Sequence, residues 1–380
     1  MVNRRSFLWG ISSLTLASML SGCEKKYDLN IAQLQGSIPI QLIVALQQEF
    51  QKIGIVNFQP QSTLKDIYDL LLTWQGKNKI REKNQLSFAL PNFSENKSPV
   101  IADDLVTLGN YWLNLAIVEK LIEPVELNKL ETWQNLPLEF QNLVTRNDQG
   151  KLDNKGKIWG APYRWGCAMI AYRNDKFAEL GWQPQDWHDL WKKDLTRKFS
   201  LLNQPRETLG LILKKLGYSY NFEDLNTISE LKSEWIALQK QVKFYDNTNY
   251  LQPLILGDTW LAVGWSTDIL PLVKQYKNIS AVIPKSGTSL WADIWVKPRQ
   301  DKNNPQQLEK IYDFIDFCWQ EKSAKQINLF TNGVSPIESS LKSNSKIVQM
   351  SSDVFAKSDF IETLPSASVK QYEQLWKNMQ

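Results

Sequence analysis

Apolar and polar residues alternate with period two along Ser289 to Pro298, "SLWADIWVKP". The pattern predicts a strand with Trp291, Asp293 and Trp295 on one face and Ala292, Ile294 and Val296 on the other. Elsewhere the spacing is helical. "IPIQLIVALQQEFQKIG" reads as a helix stopped by Gly54, "VNFQP" as a short strand, and "LKDIYDLLLTWQGK" as a second amphipathic helix. In the polar stretch 78–99, "LSFAL" is the one predicted strand. "ADDLVTLGNYWLNLAIVEKLIEPV" then predicts a strand, a glycine turn and a helix ending near Pro124. "KFSLLNQPRETLGLILKKLGYS" repeats the arrangement, with Pro205 opening the helix and Gly217 closing it. "TWLAVGWSTDILPLVKQY" repeats it again, with Ser266 as the expected N-cap. Alternating strands and helices predict an α/β fold. Ligands of such folds gather beyond the C-terminal ends of the strands, where Tyr111 and Trp112 fall.

The chemistry is sparse. No GxxxxGK[ST] or GxGxxG phosphate loop occurs. A single histidine, His188, argues against zinc sites built from histidine clusters, and it reads as a surface or packing residue. No metal and no cofactor is expected. Sixteen tryptophans supply flat stacking surfaces, those at 182, 187 and 191 reading as packing. An ionised Asp293 between two tryptophans is costly to bury without a cation. That cation is either a ligand's or an internal arginine such as Arg164 or Arg173. Glu207 falls at the third helical position after a Gln204 cap, where glutamate also serves the helix end. The adjacent Asp103 and Asp104 face opposite sides of a strand and are expected to be solvated.

The N-terminus suggests an address. "NRRSFLWG" resembles a twin-arginine export signal, and the apolar run from Leu8 to Leu20 falls short of the roughly twenty residues a membrane span needs. Leu20-Ser21-Gly22-Cys23 resembles a bacterial lipobox, which implies that Cys23 becomes the lipidated first residue. Residues 1–22 would then be an export signal peptide, and 23–30 the lipidated cysteine and a tether. The product would be a periplasmic, membrane-anchored lipoprotein. Cys167 and Cys318 remain; they do not make a disulfide framework, and Cys318 reads as a buried free thiol. Without Arg4 and Arg5 the formal charge of +4 falls to about +2, which points to no nucleic acid. The length of the remaining chain predicts two domains.

"IWGAPYRWG", "WHDLWKKDLTRKFSLL", "RETLGLILKKLGYS", "LAVGWSTDI" and "LWADIWVKP" follow one another as in the bacterial spermidine/putrescine-binding proteins, which this chain resembles. The resemblance is close over about 158–340 and weaker over 27–157. It implies a two-lobed type II periplasmic-binding-protein fold with a ligand cleft between the lobes. Lobe 1 would comprise 31–160 plus 293–340, and lobe 2 161–292 plus 341–380. The implied function is a monomeric receptor that binds a putrescine- or spermidine-like cation and delivers it to an inner-membrane ABC permease, with no chemistry of its own. By position, Asp293 and Glu207 would meet ligand ammoniums, Trp265 and Trp291 would wall the cleft, and Tyr111 would be a first-lobe contact. The chain departs from the family at Gln204, where a carboxylate is expected, and at Leu34, Ser37 and Val334, where aromatics are expected. Those departures leave other ligands open: a sugar, a thiamine-like cation or an iron complex. An exported glycoside hydrolase using Glu207 and Asp293 is a further alternative.

Overall fold

Local sequence sets the helix ends. Thr63 and Asp66 form a reciprocal capping box at the start of helix Leu64–Trp74, each side chain accepting the other's backbone N–H. Pro205 opens helix Pro205–Lys215, and Gly217 takes a positive φ just beyond it. The computed structural model describes residues 27–49, 54–77, 102–300, 304–337 and 350–377. The "LSFAL" strand, the export signal and Cys23 lie outside the described residues.

Most of the other predicted elements form within a residue or a few of their expected span, but the helix expected to end near Pro124 stops at Val118, and the one expected to stop at Gly54 is described only over Ile40–Glu49. Strands Leu29–Leu34, Val56–Gln61 and Leu105–Gly109 run parallel to one another. Strand Ser289–Pro298 lies antiparallel between Leu105–Gly109 and the thirteen-residue strand Ala161–Arg173. Strand Leu261–Trp265 pairs with the far side of Ala161–Arg173 and continues, in parallel, into Phe199–Leu201 and Val242–Tyr245. The two long strands therefore stitch two parallel groups into one eleven-stranded sheet.

Alternation along Ala161–Arg173 divides the core. Met169 and Ala171 join one buried apolar cluster with Leu29, Leu108 and Trp295. Ile170 and Tyr172 join another with Trp187, Leu209, Trp235 and Trp376. The C-terminal helix Ser366–Lys377 packs on this second cluster through Tyr372 and Trp376, the Trp376 indole stacking 5.1 Å from that of Trp235.

Two expectations are corrected here. Ser266 is the first helical residue rather than the cap, because its hydroxyl accepts the Cys167 N–H at 3.2 Å. Asp103 and Asp104 are buried rather than solvated: Asp104 accepts Asn30 N–H at 2.7 Å and Asp103 accepts the Gln59 amide at 2.8 Å. Burial, with Asp104 beside it, pushes Asp103 up to about 6. Both remaining cysteines are buried and free. His188 is exposed beside Asp186 and Asp189, and Trp187 is wholly buried.

Candidate functional site

Strand pairing brings the predicted residues to one line. Asp293 lies opposite Gly109, one residue before helix Asn110–Val118, and Trp291 lies opposite Gly166. Trp265 lies opposite Ala168, two positions along from Gly166. The C-terminal end of Leu105–Gly109 thus meets the middle of Ser289–Pro298, whereas that of Leu261–Trp265 lies across Ala161–Arg173, near the level of Ser289. Period two puts Ser289, Trp291 and Asp293 on one face of that strand, and four residues span about 13 Å.

Glu207 occupies the Ser289 end. It stands at the third helical position but makes no capping box; the Gln204 side chain makes no cap hydrogen bond either. Instead its carboxylate turns to the sheet and accepts the Ser289 hydroxyl at 2.6 Å. Glu207 is 7% exposed, and no ion pair to it is found among the described residues. Burial pushes its pKa up to about 7, against the smaller opposing pulls of Ser289 and Arg206. Arg206 is committed elsewhere, donating to the carbonyls of Glu362 and Tyr220 and to Asn221.

The aromatic residues follow the strand ends. Trp291 and Trp265 are half-buried. Gly166 makes room for the first: a Cβ there would lie 2.4 Å from Trp291 Cζ2. Tyr111 and Trp112 divide their work. Trp112 stacks on Tyr68 at 4.6 Å, whereas Tyr111 packs toward the second cluster, its carbonyl accepting Thr363 Oγ1.

Of the two cations expected for Asp293, the structure places the internal one beside it. Its cation is Arg164, whose Nε lies 3.0 Å from Oδ2, both side chains nearly buried. The contact is an ion pair without hydrogen-bond alignment, since neither atom has a hydrogen-bond partner. Burial raises the Asp293 pKa and Arg164 opposes that shift. The expected ammonium partner is therefore already paired within the chain. Arg173, the other candidate, pairs with Asp175 instead.

The register explains Arg164. Asp293 pairs with Arg164, but Ile294 pairs with Pro162, so Tyr163 is an extra residue in a bulge. Tyr163 stacks on Trp295 at 4.2 Å, and its hydroxyl joins Ser37 at 2.8 Å and Thr107 at 3.0 Å. Ser37 thus anchors the bulge at one of the positions where an aromatic was expected. Val334 exchanges backbone hydrogen bonds with Trp165. Sequence reasoning missed Ser289, because a strand serine carries no signal until its neighbour is known.

The model of the family described as bacterial extracellular solute-binding protein matches residues 93–356. The chain belongs to this family. It is 26% identical to the putrescine-binding periplasmic protein PotF of Escherichia coli over 278 residues, covering 69% of this chain and 68% of that one. It is 25% identical to the spermidine/putrescine-binding periplasmic protein 1 of Haemophilus influenzae, covering 60% of this chain. In that comparison the chain spans 59% of the relative's length. Among solved structures it matches the spermidine/putrescine ABC transporter substrate-binding protein PotD of Streptococcus pneumoniae with a TM-score of 0.75 at 21% identity, covering 93% of this chain and 98% of that one. These relatives bear out the resemblance read from the sequence, and the fold is that of a two-lobed solute-binding protein. Among the described residues no group of three histidines, cysteines or acids could hold a metal, and no helix is long and apolar enough to cross a membrane.

Proposed function

We propose that this protein is the extracytoplasmic receptor of an ABC importer for an amine of the polyamine type, which it closes around and delivers to a membrane permease. The observation that carries the reading is Glu207. A carboxylate with 7% exposure and one hydroxyl donor is poorly compensated, and an ammonium is the group that relieves it. Trp291 and Trp265 supply rings for the carbon chain and for cation–π contact, worth about 0.5–2 kcal/mol each. The names of the relatives point to the same ligand class.

In this reading lobe 1 is 31–160 with 293–340 and lobe 2 is 161–292 with 341–380. Two of the three cuts fall in or beside the two long strands, which would then bend as the hinge; the third, at 340/341, lies outside the described residues. Residues 1–22 direct export, Cys23 carries the lipid, and the receptor works as a periplasmic monomer. It performs no chemistry of its own, in keeping with relatives that are named as binding proteins. Moreover, Asp293 is already neutralised.

Calorimetric titration of the purified protein with putrescine, spermidine and their monoacetylated forms tests the reading. At least one amine is expected to bind at micromolar concentration, and Glu207→Gln should weaken it at least tenfold. Silence with the whole panel, or binding indifferent to Glu207, would end the proposal.

A further inference from the structure

Arg164 plays no part in amine capture as described above, yet its position is determined on several sides. Its Nη1 donates to the Gly36 carbonyl at 3.3 Å, and its guanidinium carbon lies 5.2 Å from the centre of the Trp291 ring. Gly333 closes the other side, where an added Cβ would sit 2.6 Å from Arg164 Cγ. Groups from three separate chain segments hold this one side chain, and the Tyr163 bulge aims it along the same face as Asp293. Among the described residues its one aligned hydrogen bond is that of Nη1, since Nε has no hydrogen-bond partner.

The charged side chains along this strand face are Glu207 and Asp293, both negative, and Arg164, positive; Arg206, near Glu207, is committed to the Glu362 and Tyr220 carbonyls and to Asn221. The sum of the three on the face asks for one ligand cation, not two. A second ammonium would have to share the Asp293 carboxylate with a guanidinium fixed beside it, placing like charges a few ångströms apart in a nearly buried site. A carbonyl at that end instead meets the free donor of Arg164 and the face of Trp291.

We propose that Arg164 is a resident cation that fills one of the groove's two ammonium positions, so that the receptor selects an amine with one ammonium, held at Glu207, and an acyl-type hydrogen-bond acceptor at its far end. This rests on the amine-receptor reading above and names the ligand class within it.

The test is competitive calorimetry on the purified protein with putrescine, which carries two ammoniums, and N-acetylputrescine, which carries one. The wild type is expected to bind the acetylated amine at least tenfold more tightly. Arg164→Gln should reverse the order, because Asp293 then needs a cation. Arg164→Gln leaves a buried carboxylate unpaired and can fail to fold. The double variant Arg164→Gln/Asp293→Asn removes both charges and should bring the two affinities to within about threefold. Tighter putrescine binding by the wild type, or a ratio that survives both variants, overturns the role of Arg164 while leaving the receptor reading intact. Absence of binding by every amine overturns the receptor reading and this one with it.

Discussion

Glu207→Gln should make the unliganded protein more stable, and by an amount that depends on pH. Burial lifts the Glu207 carboxyl from 4.5 to about 7. The folded state therefore binds more protons than the unfolded chain between those two values, and its stability falls as pH rises through that window. Above pH 7 the loss is complete, about 3 kcal/mol at 1.36 kcal/mol per unit. Glutamine keeps an oxygen for the Ser289 hydroxyl and never ionises, so the variant escapes the loss. For a chain of this size that is a rise of several degrees in melting temperature at pH 8. Asp103, raised to about 6, adds a slope of the same sign to both proteins. The difference between variant and wild type is therefore the quantity to follow. Melting curves by circular dichroism at half-unit steps from pH 5 to 8 measure it. A variant that melts at or below the wild type at pH 8, or a difference that does not grow with pH, would refute the claim that Glu207 is held unpaired at a cost to stability.

Amine binding below pH 7 should release a proton from Glu207, so binding enthalpies measured at pH 6 are expected to vary with the ionisation heat of the buffer; equal enthalpies in all buffers would contradict this. Gly166→Ala forces a Cβ to within 2.4 Å of Trp291 and 2.5 Å of Ser266 Oγ. A loss of about 1–3 kcal/mol in urea unfolding is expected, together with altered amine affinity. Cys167 and Cys318 are buried, and burial pushes both thiols up to about 12, so a thiol reagent at pH 8 should react with them only on unfolding; rapid native-state labelling of either would count against their placement. Tyr163→Phe should remove the hydroxyl that joins Ser37 to Thr107 and cost about 1–3 kcal/mol, read in the same urea experiment.

Much of the molecule follows from neighbours along the chain. The alternation of Ser289–Pro298, the three strand-to-helix turns and the proline and glycine at the ends of Pro205–Lys215 rest on side-chain period and on single-residue backbone preference. Both are local, so the sequence alone carries them. The solute-binding fold was legible in a different way, through the resemblance carried by the ordered segments from "IWGAPYRWG" to "LWADIWVKP". What tertiary structure decided is which polar group meets which. Ser266 gave up its capping role to an N–H ninety-nine residues away, and Glu207 turned from its own helix end to Ser289. The carboxylate of Asp293 was known to need a cation. Arg164 is that cation because of a one-residue bulge at Tyr163 in a strand well over a hundred residues earlier. A shift of one residue in strand register carries every side chain to the opposite face. Whether a buried charge meets an arginine or waits for a ligand is therefore fixed by register between distant strands, which no periodicity within either strand records.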